Sequence, residues 1–597
     1  MPRHLPPALG TLDAARAVLR AQFGYPDFRP PQIRAVQSVL SGRDALIVLP
    51  TGGGKSLCYQ VPALVREGLT VVVSPLISLM KDQVDALDRR GVAATFINST
   101  LTSVEVANRM ARARDGTLKL LYLAPERMEA ERTLLTLVEI GVSLLAIDEA
   151  HCISEWGHDF RPSYRRLGRI RERLGSPQTV ALTATATPHV REDIVSQLAL
   201  CEPSLVVGGF DRTNLAYSVA ATRTQQDKDQ SAVRWLRDAS GPAIVYAPTR
   251  KAVERVTAML VRARIKAVAY HAGLDDAVRQ CAQDAFMRER TRVIVATSAF
   301  GMGIDKPDVR LVVHHAMPGS LESYYQEAGR AGRDGLASRC VLLHGYPDRF
   351  THEYFIANAN PTRPLIEHVW RVLRAAADRE RRVSLSADEL VDRLPPKVGD
   401  RTVGAALRVL AAVGALTLEP STTGRVWVRL LATPIRIVTE LGGDRYFDRE
   451  LLRTLWRAVG KRLESGASVD LDGLPPGFGG PATLVPVLER LEAEQFLMWT
   501  RTGASLRLDE RAMDADRLPV DWRAVERRRQ TDLARLDAME RYSQTRACRR
   551  AFVLRYFGDP DARDHCDACD RCLGTTAGLP ERALARPVNT LSRPRRT

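Results

Sequence analysis

From about residue 10 to residue 345, short apolar runs rich in β-branched residues alternate with stretches of helical periodicity. Ala45–Leu49, Thr70–Val73, Leu120–Leu123 and Leu144–Ile147 form one series of runs, and Ala243–Tyr246, Val293–Ala296 and Leu311–Val313 form a second. Continuous apolar runs separated by helical segments predict parallel strands covered by helices on both faces, an α/β class. Two series predict two sheets, with a seam near Pro203–Gly209. Past residue 345 strand runs become sparse and helical periodicity dominates.

That later region contains an internal repeat. Val369-Trp370-Arg371 opens a helix, followed by Leu394-Pro395-Pro396, a helix around Ala405–Val413 and two short strands around Gly424. The pattern recurs about 80 to 86 residues later as Leu455-Trp456-Arg457, Leu474-Pro475-Pro476, the helix Leu484–Glu494 and a hairpin turning at Thr502-Gly503. Helices followed by a β-hairpin predict two winged-helix-like units, related to helix-turn-helix nucleic-acid binders. From Leu573 to Thr597 periodicity is lost and five Arg stand against one Glu, which predicts a disordered basic tail.

Charge narrows the choice of partner. The 597 residues include 86 Lys and Arg against 70 Asp and Glu, a net charge of +16 that points to a polyanion, nucleic acid before anything else. Only nine of the basic residues are lysines, so a lysine inside a motif stands out. No apolar run approaches ~18 residues, so no transmembrane helix is expected. The start MPRHLPPALG has no apolar h-region, so a cytoplasmic protein is expected, nucleoid-associated if bacterial. Nine cysteines in that setting read as thiols or metal ligands, not disulfides.

The strongest local signal is Leu49-Pro50-Thr51-Gly52-Gly53-Gly54-Lys55-Ser56, set between an apolar run and a helical stretch. Glycines let backbone N–H groups converge into an anion nest at a helix N-terminus. In such a phosphate loop Lys55 would reach the β- and γ-phosphates of ATP, and the Ser56 hydroxyl would ligate Mg²⁺. Leu49 stands where the usual pattern has glycine. About 90 residues on, Ile147-Asp148-Glu149-Ala150-His151 follows the run Leu144–Ile147. Asp148 at a strand end is placed to hold Mg²⁺, and Glu149 to orient or deprotonate the attacking water. In the second α/β series, Gln326-Glu327-Ala328-Gly329-Arg330-Ala331-Gly332-Arg333 supplies Arg330 and Arg333 at helical i, i+3 spacing. Arginines facing the first series across a cleft can stabilise charge on the transferring phosphoryl group.

With Thr297–Asp305 between them, these motifs resemble those of superfamily 2 helicases, in which two RecA-like domains close on ATP. The stretch Cys152–Pro162, containing Trp156, His158, Phe160 and Arg161, resembles the aromatic-rich loop of RecQ DNA helicases. Phe23–Gln32 resembles that family's adenine-recognition segment, which implies that Gln32 and Arg29 read the base with Tyr25 beside it. Ser74–Gln83, Leu182–Ala186 and Tyr270–Leu274 match further family motifs in order. The resemblance covers roughly residues 15 to 345. It implies that Asp305 joins the nucleotide contacts and that Ser74, Thr183 and Thr185 join the aromatic loop in contacting DNA and coupling it to ATP. It further implies ATP- and Mg²⁺-dependent unwinding of duplex DNA, moving 3′ to 5′ on a single strand, in DNA repair or recombination. Independently of the family, Trp156 and Phe160 offer faces for stacking unpaired bases, worth ~1–3 kcal/mol each.

Cys566, Cys569 and Cys572, with Cys548 eighteen positions before the first, give four thiolates and predict a structural Zn²⁺ site. An iron–sulfur cluster, or His565 in place of one thiolate, are alternatives. Cys58, Cys152, Cys201, Cys281 and Cys340 read as ordinary buried thiols. Arg549, Arg550 and Arg555, beside Arg527–Arg529, form an expected basic face toward duplex phosphates. RecQ proteins usually carry such cysteines directly after the helicase core, whereas nearly 200 residues intervene here, and no helicase-and-RNase-D-like C-terminal domain is recognisable. The expected layout is RecA-like domains at 10–208 and 209–345, winged-helix-like units at 362–432 and 445–510, a helical zinc module at 520–573 and a basic tail at 574–597. Single- and double-stranded DNA are the expected partners, with no membrane and no protein partner assignable. An RNA helicase and a non-catalytic nucleic-acid binder are the competing classes.

Overall fold

The apolar runs become buried strands. The computed structural model describes residues 10–575 except 76, 99–100, 102, 158, 302–305, 384, 386, 396–397, 420–424, 495, 502–504 and 510–513. His158, Asp305 and the tail beyond Thr575 therefore lie outside the described residues. Two compact units form, one from the chain up to His352 plus the segment from Leu533 onward, the other from Glu353–Asp532.

The first unit holds two parallel sheets. In the first, β1 (Ala45–Val48), β2 (Leu69–Val73), β3 (Ala94–Ile97), β4 (Leu120–Leu123), β5 (Val142–Ile147), β6 (Thr179–Thr183) and β7 (Ser204–Val207) are ordered β3-β4-β2-β5-β6-β1-β7. In the second, β8 (Leu215–Ala221), β9 (Ala243–Tyr246), β10 (Ala267–Tyr270), β11 (Val293–Ala296), β12 (Leu311–His314) and β13 (Ser338–His344) are ordered β10-β11-β9-β12-β13-β8. All of β1 and β2 is buried, as continuous runs between helical layers require. Each buried Val, Leu or Ile of these strands contributes about 1.5–3 kcal/mol to its lobe, alongside the helix residues packed over the sheet. Parallel pairing needs a crossover each time, so the loops after β1, β5 and β6 gather on one edge.

The second unit departs from the expected pair of hairpins. The helices Arg363–Ala376, Asp400–Ala412, Tyr446–Val459 and Pro481–Ala493 stand where the repeat predicts them. The strands following each pair of helices, however, do not fold back on each other. β15 (Leu416–Glu419) pairs with β19 (Ser505–Leu508), which also pairs with β14 (Arg382–Val383). β16 (Arg425–Leu430) pairs with β17 (Ala467–Asp470) and β18 (Leu497–Arg501). The body around β16–β18 is thus nested inside the body that β14, β15 and β19 close, and the boundaries 362–432 and 445–510 cut through both sheets. Side-chain burial supplies the physical reason. Leu416, Leu506 and Leu508 continue the core of Trp370, Leu373 and Leu410, whereas Val426, Val428 and Leu497 continue that of Leu451, Leu455 and Leu488. Among the described residues, no helix is long and apolar enough to cross a membrane.

Candidate nucleotide cleft and zinc module

The phosphate loop leaves β1 and enters the helix Leu57–Val65, whose N-cap is Ser56. Gly52 and Gly54 adopt φ of +78° and +72°, the left-handed region that glycine occupies without strain. The helix Pro30–Leu40 grips the loop from behind. Gln32 Nε2 donates to the Gly53 carbonyl (3.0 Å) and the Gly54 carbonyl (3.3 Å), and Arg29 Nη1 donates to the Gly52 carbonyl (3.0 Å). The structure thus brings Arg29 and Gln32 to the loop backbone, while Tyr25 is exposed. Lys55 Nζ donates back to the Leu49 carbonyl (3.4 Å) at the foot of the loop.

Asp148 and Glu149 emerge from β5, one strand removed from β1. Asp148 is buried, and burial together with the neighbouring Glu149 charge pushes its carboxyl up to about 7, against the opposing pull of Lys55. The Asp148 carboxylate and the Ser56 hydroxyl are oxygen donors of the kind a hard divalent cation such as Mg²⁺ takes. Glu149 is held at φ +49°, a left-handed conformation that costs a non-glycine residue about 1 kcal/mol or more. Its Oε2 lies 3.3 Å from His151 Nδ1, which lies 2.9 Å from the Thr183 hydroxyl. The Thr185 N–H donates to that hydroxyl (3.2 Å), and Gln326 Nε2 of the second lobe donates to Thr185 Oγ1 (3.1 Å). A polar chain therefore runs from Glu149 across the cleft. Motif membership alone gives His151 and Gln326 no role, and their part in this chain is visible only in three dimensions.

Arg330 and Arg333 are not at helical spacing. Their helix, Leu321–Ala328, ends before Gly329, and both arginines lie in the turns that follow. This separates their directions. The side chain of Arg333 lies against the phosphate loop, 3.7 Å from where a Gly52 Cβ would stand, whereas Arg330 is buried beside Gly301. A cavity of about 380 Å³ lined by Arg29, Gln32, Gly52, Arg212 and Arg333 opens between the lobes.

The aromatic loop follows directly. Trp156 meets His189 edge to face at 4.7 Å, and both Trp156 and Phe160 remain partly exposed. A Cβ on Gly157 would collide with the His151 carbonyl, so the loop's turn demands glycine there. Arg161 donates to Asp159 (3.1 Å) and to the Pro75 carbonyl (3.0 Å), tying the loop to the Ser74 segment. The Ser74 hydroxyl is buried without a hydrogen-bond partner among the described residues.

The Cys548, Cys566, Cys569 and Cys572 sulfurs lie within 4.8 Å of one another. A tetrahedron of sulfurs at ~2.3 Å from zinc fits that spacing. Cys548 caps the helix Arg549–Tyr556, and backbone N–H groups of Cys566, Cys569 and Cys572 donate to sulfurs of the set. His565 is exposed and pairs with Asp567, outside the sulfur cluster. Cys201 and Cys281 are exposed, contrary to their reading as buried thiols. The expected basic face is also corrected. Arg549 is 1% exposed and pairs with Asp570 (2.6 Å), and Arg550 donates to the Leu215 carbonyl (2.7 Å). These arginines turn inward because Asp570 bridges to the edge strand β8. The Asp570 N–H donates to the Tyr217 carbonyl (3.1 Å), and its Oδ2 accepts from the Val219 N–H (3.0 Å). Of the three, only Arg555, paired with Asp564, faces solvent.

Two parallel-sheet lobes with a phosphate loop, an acidic pair and an opposed arginine turn define the DEAD/DEAH-box class of P-loop proteins, and family models agree. A DEAD/DEAH box helicase model matches residues 29–194, a helicase conserved C-terminal domain 227–335, and a RecQ zinc-binding model 509–573. The chain is 48% identical over 347 residues to the ATP-dependent DNA helicase RecQ of Bacillus subtilis, covering 58% of each. It is 46% identical over 327 residues to that of Pasteurella multocida, covering 55% of this chain and 51% of the relative. To the probable ATP-dependent DNA helicase RecS of Bacillus subtilis it is 41% identical over 362 residues, covering 60% of this chain and 73% of the relative. The chain belongs to the RecQ family of helicases. It spans between half and three-fifths of the length of the RecQ relatives named here.

Proposed function

We propose that this protein is an ATP- and Mg²⁺-dependent DNA helicase that moves 3′ to 5′ on single-stranded DNA and separates duplex strands, serving DNA repair or recombination in the cytoplasm or nucleoid. The observation that carries the reading is the cleft itself, where Arg333 lies against the loop of Lys55 and a succession of polar contacts from Glu149 through His151, Thr183 and Thr185 reaches Gln326 of the other lobe. Lys55 would hold the β- and γ-phosphates, Glu149 would orient the attacking water, and Arg333 would offset charge on the transferring phosphoryl. Ser56 and Asp148 would hold Mg²⁺, which supplies electrophilic polarisation of the phosphate oxygens when bound. The aromatic loop starts at Cys152, directly after the His151 that lies against Glu149, so its position can follow the state of the nucleotide while Trp156 and Phe160 stack on bases. Zn²⁺ held by the four cysteines would secure the clasp on β8 and take no part in the chemistry.

Strand displacement on 3′-tailed DNA, 5′-tailed DNA and all-RNA duplexes tests the reading. ATP-dependent release from the 3′-tailed DNA alone is expected. Release from 5′-tailed DNA alone would reverse the polarity, and release from RNA alone would reassign the substrate.

A further inference from the structure

The segment joining the two sheets, residues 208–214, reaches into the cleft. Gly209 turns it at φ +69°, and three residues later Arg212 spreads its guanidinium between the lobes. Nη1 donates to the Thr51 carbonyl of the phosphate loop (3.1 Å) and to the Gly329 carbonyl of the arginine turn (3.2 Å). Nη2 donates to the carbonyls of Ala331 (3.0 Å) and Gly332 (2.9 Å). Asn214 Nδ2 adds bonds to the carbonyls of Gly332 (2.8 Å) and Leu336 (2.9 Å). Gly332, between Arg330 and Arg333 in sequence, has φ +54°, and a Cβ there would strike Asn214 and come within 2.6 Å of the Leu336 carbonyl. The arginine turn is therefore closed against the linker with no room for a side chain.

We propose that Arg212 is a positioning residue for phosphoryl transfer, holding the arginine turn at the height over the phosphate loop that Arg333 requires. The argument is geometric. One planar fork satisfies four carbonyls, three of them within the four residues that also contain Arg330 and close on Arg333. Nη1 is shared between the lobes, so a shift of Thr51 changes its bond to Gly329, the residue before Arg330. Lysine concentrates its donors at one point and cannot span both carbonyl pairs. Misplacing a charge-stabilising group by about 1 Å costs on the order of a hundredfold in rate.

The inference rests on the proposal that the cleft hydrolyses ATP, and the experiment separates the two. Wild type, Arg212→Ala, Arg212→Lys and Arg333→Ala are compared as full chains for DNA-stimulated turnover and for affinity toward a fluorescent non-hydrolysable ATP analogue and toward ADP with aluminium fluoride, which mimics the transferring phosphoryl. Arg212→Ala is expected to lose at least ~30-fold in turnover and ~10-fold in affinity for the aluminium fluoride complex, with analogue affinity within about threefold of wild type, the pattern of Arg333→Ala. Arg212→Lys should not recover turnover. Equal losses for both ligands would mean that Arg212 only maintains the fold, and recovery by lysine would mean that charge alone matters; either overturns the proposal. A wild-type chain without ATP hydrolysis would sink the motor reading, and this inference with it.

Discussion

The two lobes and the nested pair of bodies are built from similar apolar runs, yet they relate to their sequences differently. In the lobes each strand must cross over through a helix to meet a parallel partner, so whatever the strand order the loops that carry the chemistry gather at one sheet edge. In Glu353–Asp532 the strands are antiparallel, and strands adjacent in sequence, β15 and β16 or β18 and β19, belong to different sheets. There the choice falls to whichever core continues the apolar face of the strand. Parallel architecture is legible from local pattern, whereas antiparallel pairing among repeats is not.

The most severe test strikes the lobes. Lys55→Ala removes the ammonium at the base of the phosphate loop and should lower DNA-stimulated ATP hydrolysis at least ~100-fold, read in a steady-state phosphate-release assay. DNA binding measured by anisotropy should fall far less.

Two buried charges separate the bodies of the other unit. Val428→Asp places a carboxylate in the nested core and should cost ~3–5 kcal/mol there, while Leu506→Asp should cost a similar amount in the enclosing body. Hydrogen exchange should show loss of protection in Leu451–Leu455 for the first variant and in Val369–Leu373 for the second. If Leu506→Asp instead exposes the nested helices, strands β18 and β19 form the hairpin that the repeat predicts.

Cys569→Ser, or removal of zinc by a chelator, should lower stability by ~2–4 kcal/mol, because the clasp on β8 loses its frame. Calorimetry checks the magnitude. The slope of duplex DNA affinity against salt should stay unchanged, since Arg549 and Arg550 are engaged inside the protein; a flattened slope would restore the basic-face expectation.

The smallest effect concerns the aromatic loop. Trp156→Ala should cost ~1 kcal/mol of single-strand affinity, about fivefold, and should lower DNA-stimulated turnover more than unstimulated turnover. Equal reduction of both rates would make the ring a packing residue against His189.

How much the sequence disclosed follows the same division. The phosphate loop, Asp148, Glu149 and the cysteine tetrad are legible because each is a short motif at the end of a recognisable element. Gln32 and Arg29 are legible only through family likeness, and their hold on the loop carbonyls depends on the placement of the helix Pro30–Leu40 beside the loop. Arg212 carries no local signal at all, being the single arginine of a short linker in an arginine-rich chain. Arg549 and Arg550 misled for the opposite reason. A run of arginines on a helix looks like a solvent face until Asp570 and the β8 carbonyls appear beside it.

The nesting of the two bodies also sets an order of events during synthesis. As the chain leaves the ribosome, Arg363–Glu419 emerges first but lacks β19, whose pairing closes its sheet. The body of β16–β18 contains all its strands once Arg501 is out, so it can fold while its host waits. The second lobe waits longer still, since the edge of β8 stays bare until Asp570 arrives. Exposed strand edges invite aggregation. Between Glu419 and Asp570 the nascent chain therefore leaves open first the edges of β15 and β8 together and then that of β8 alone.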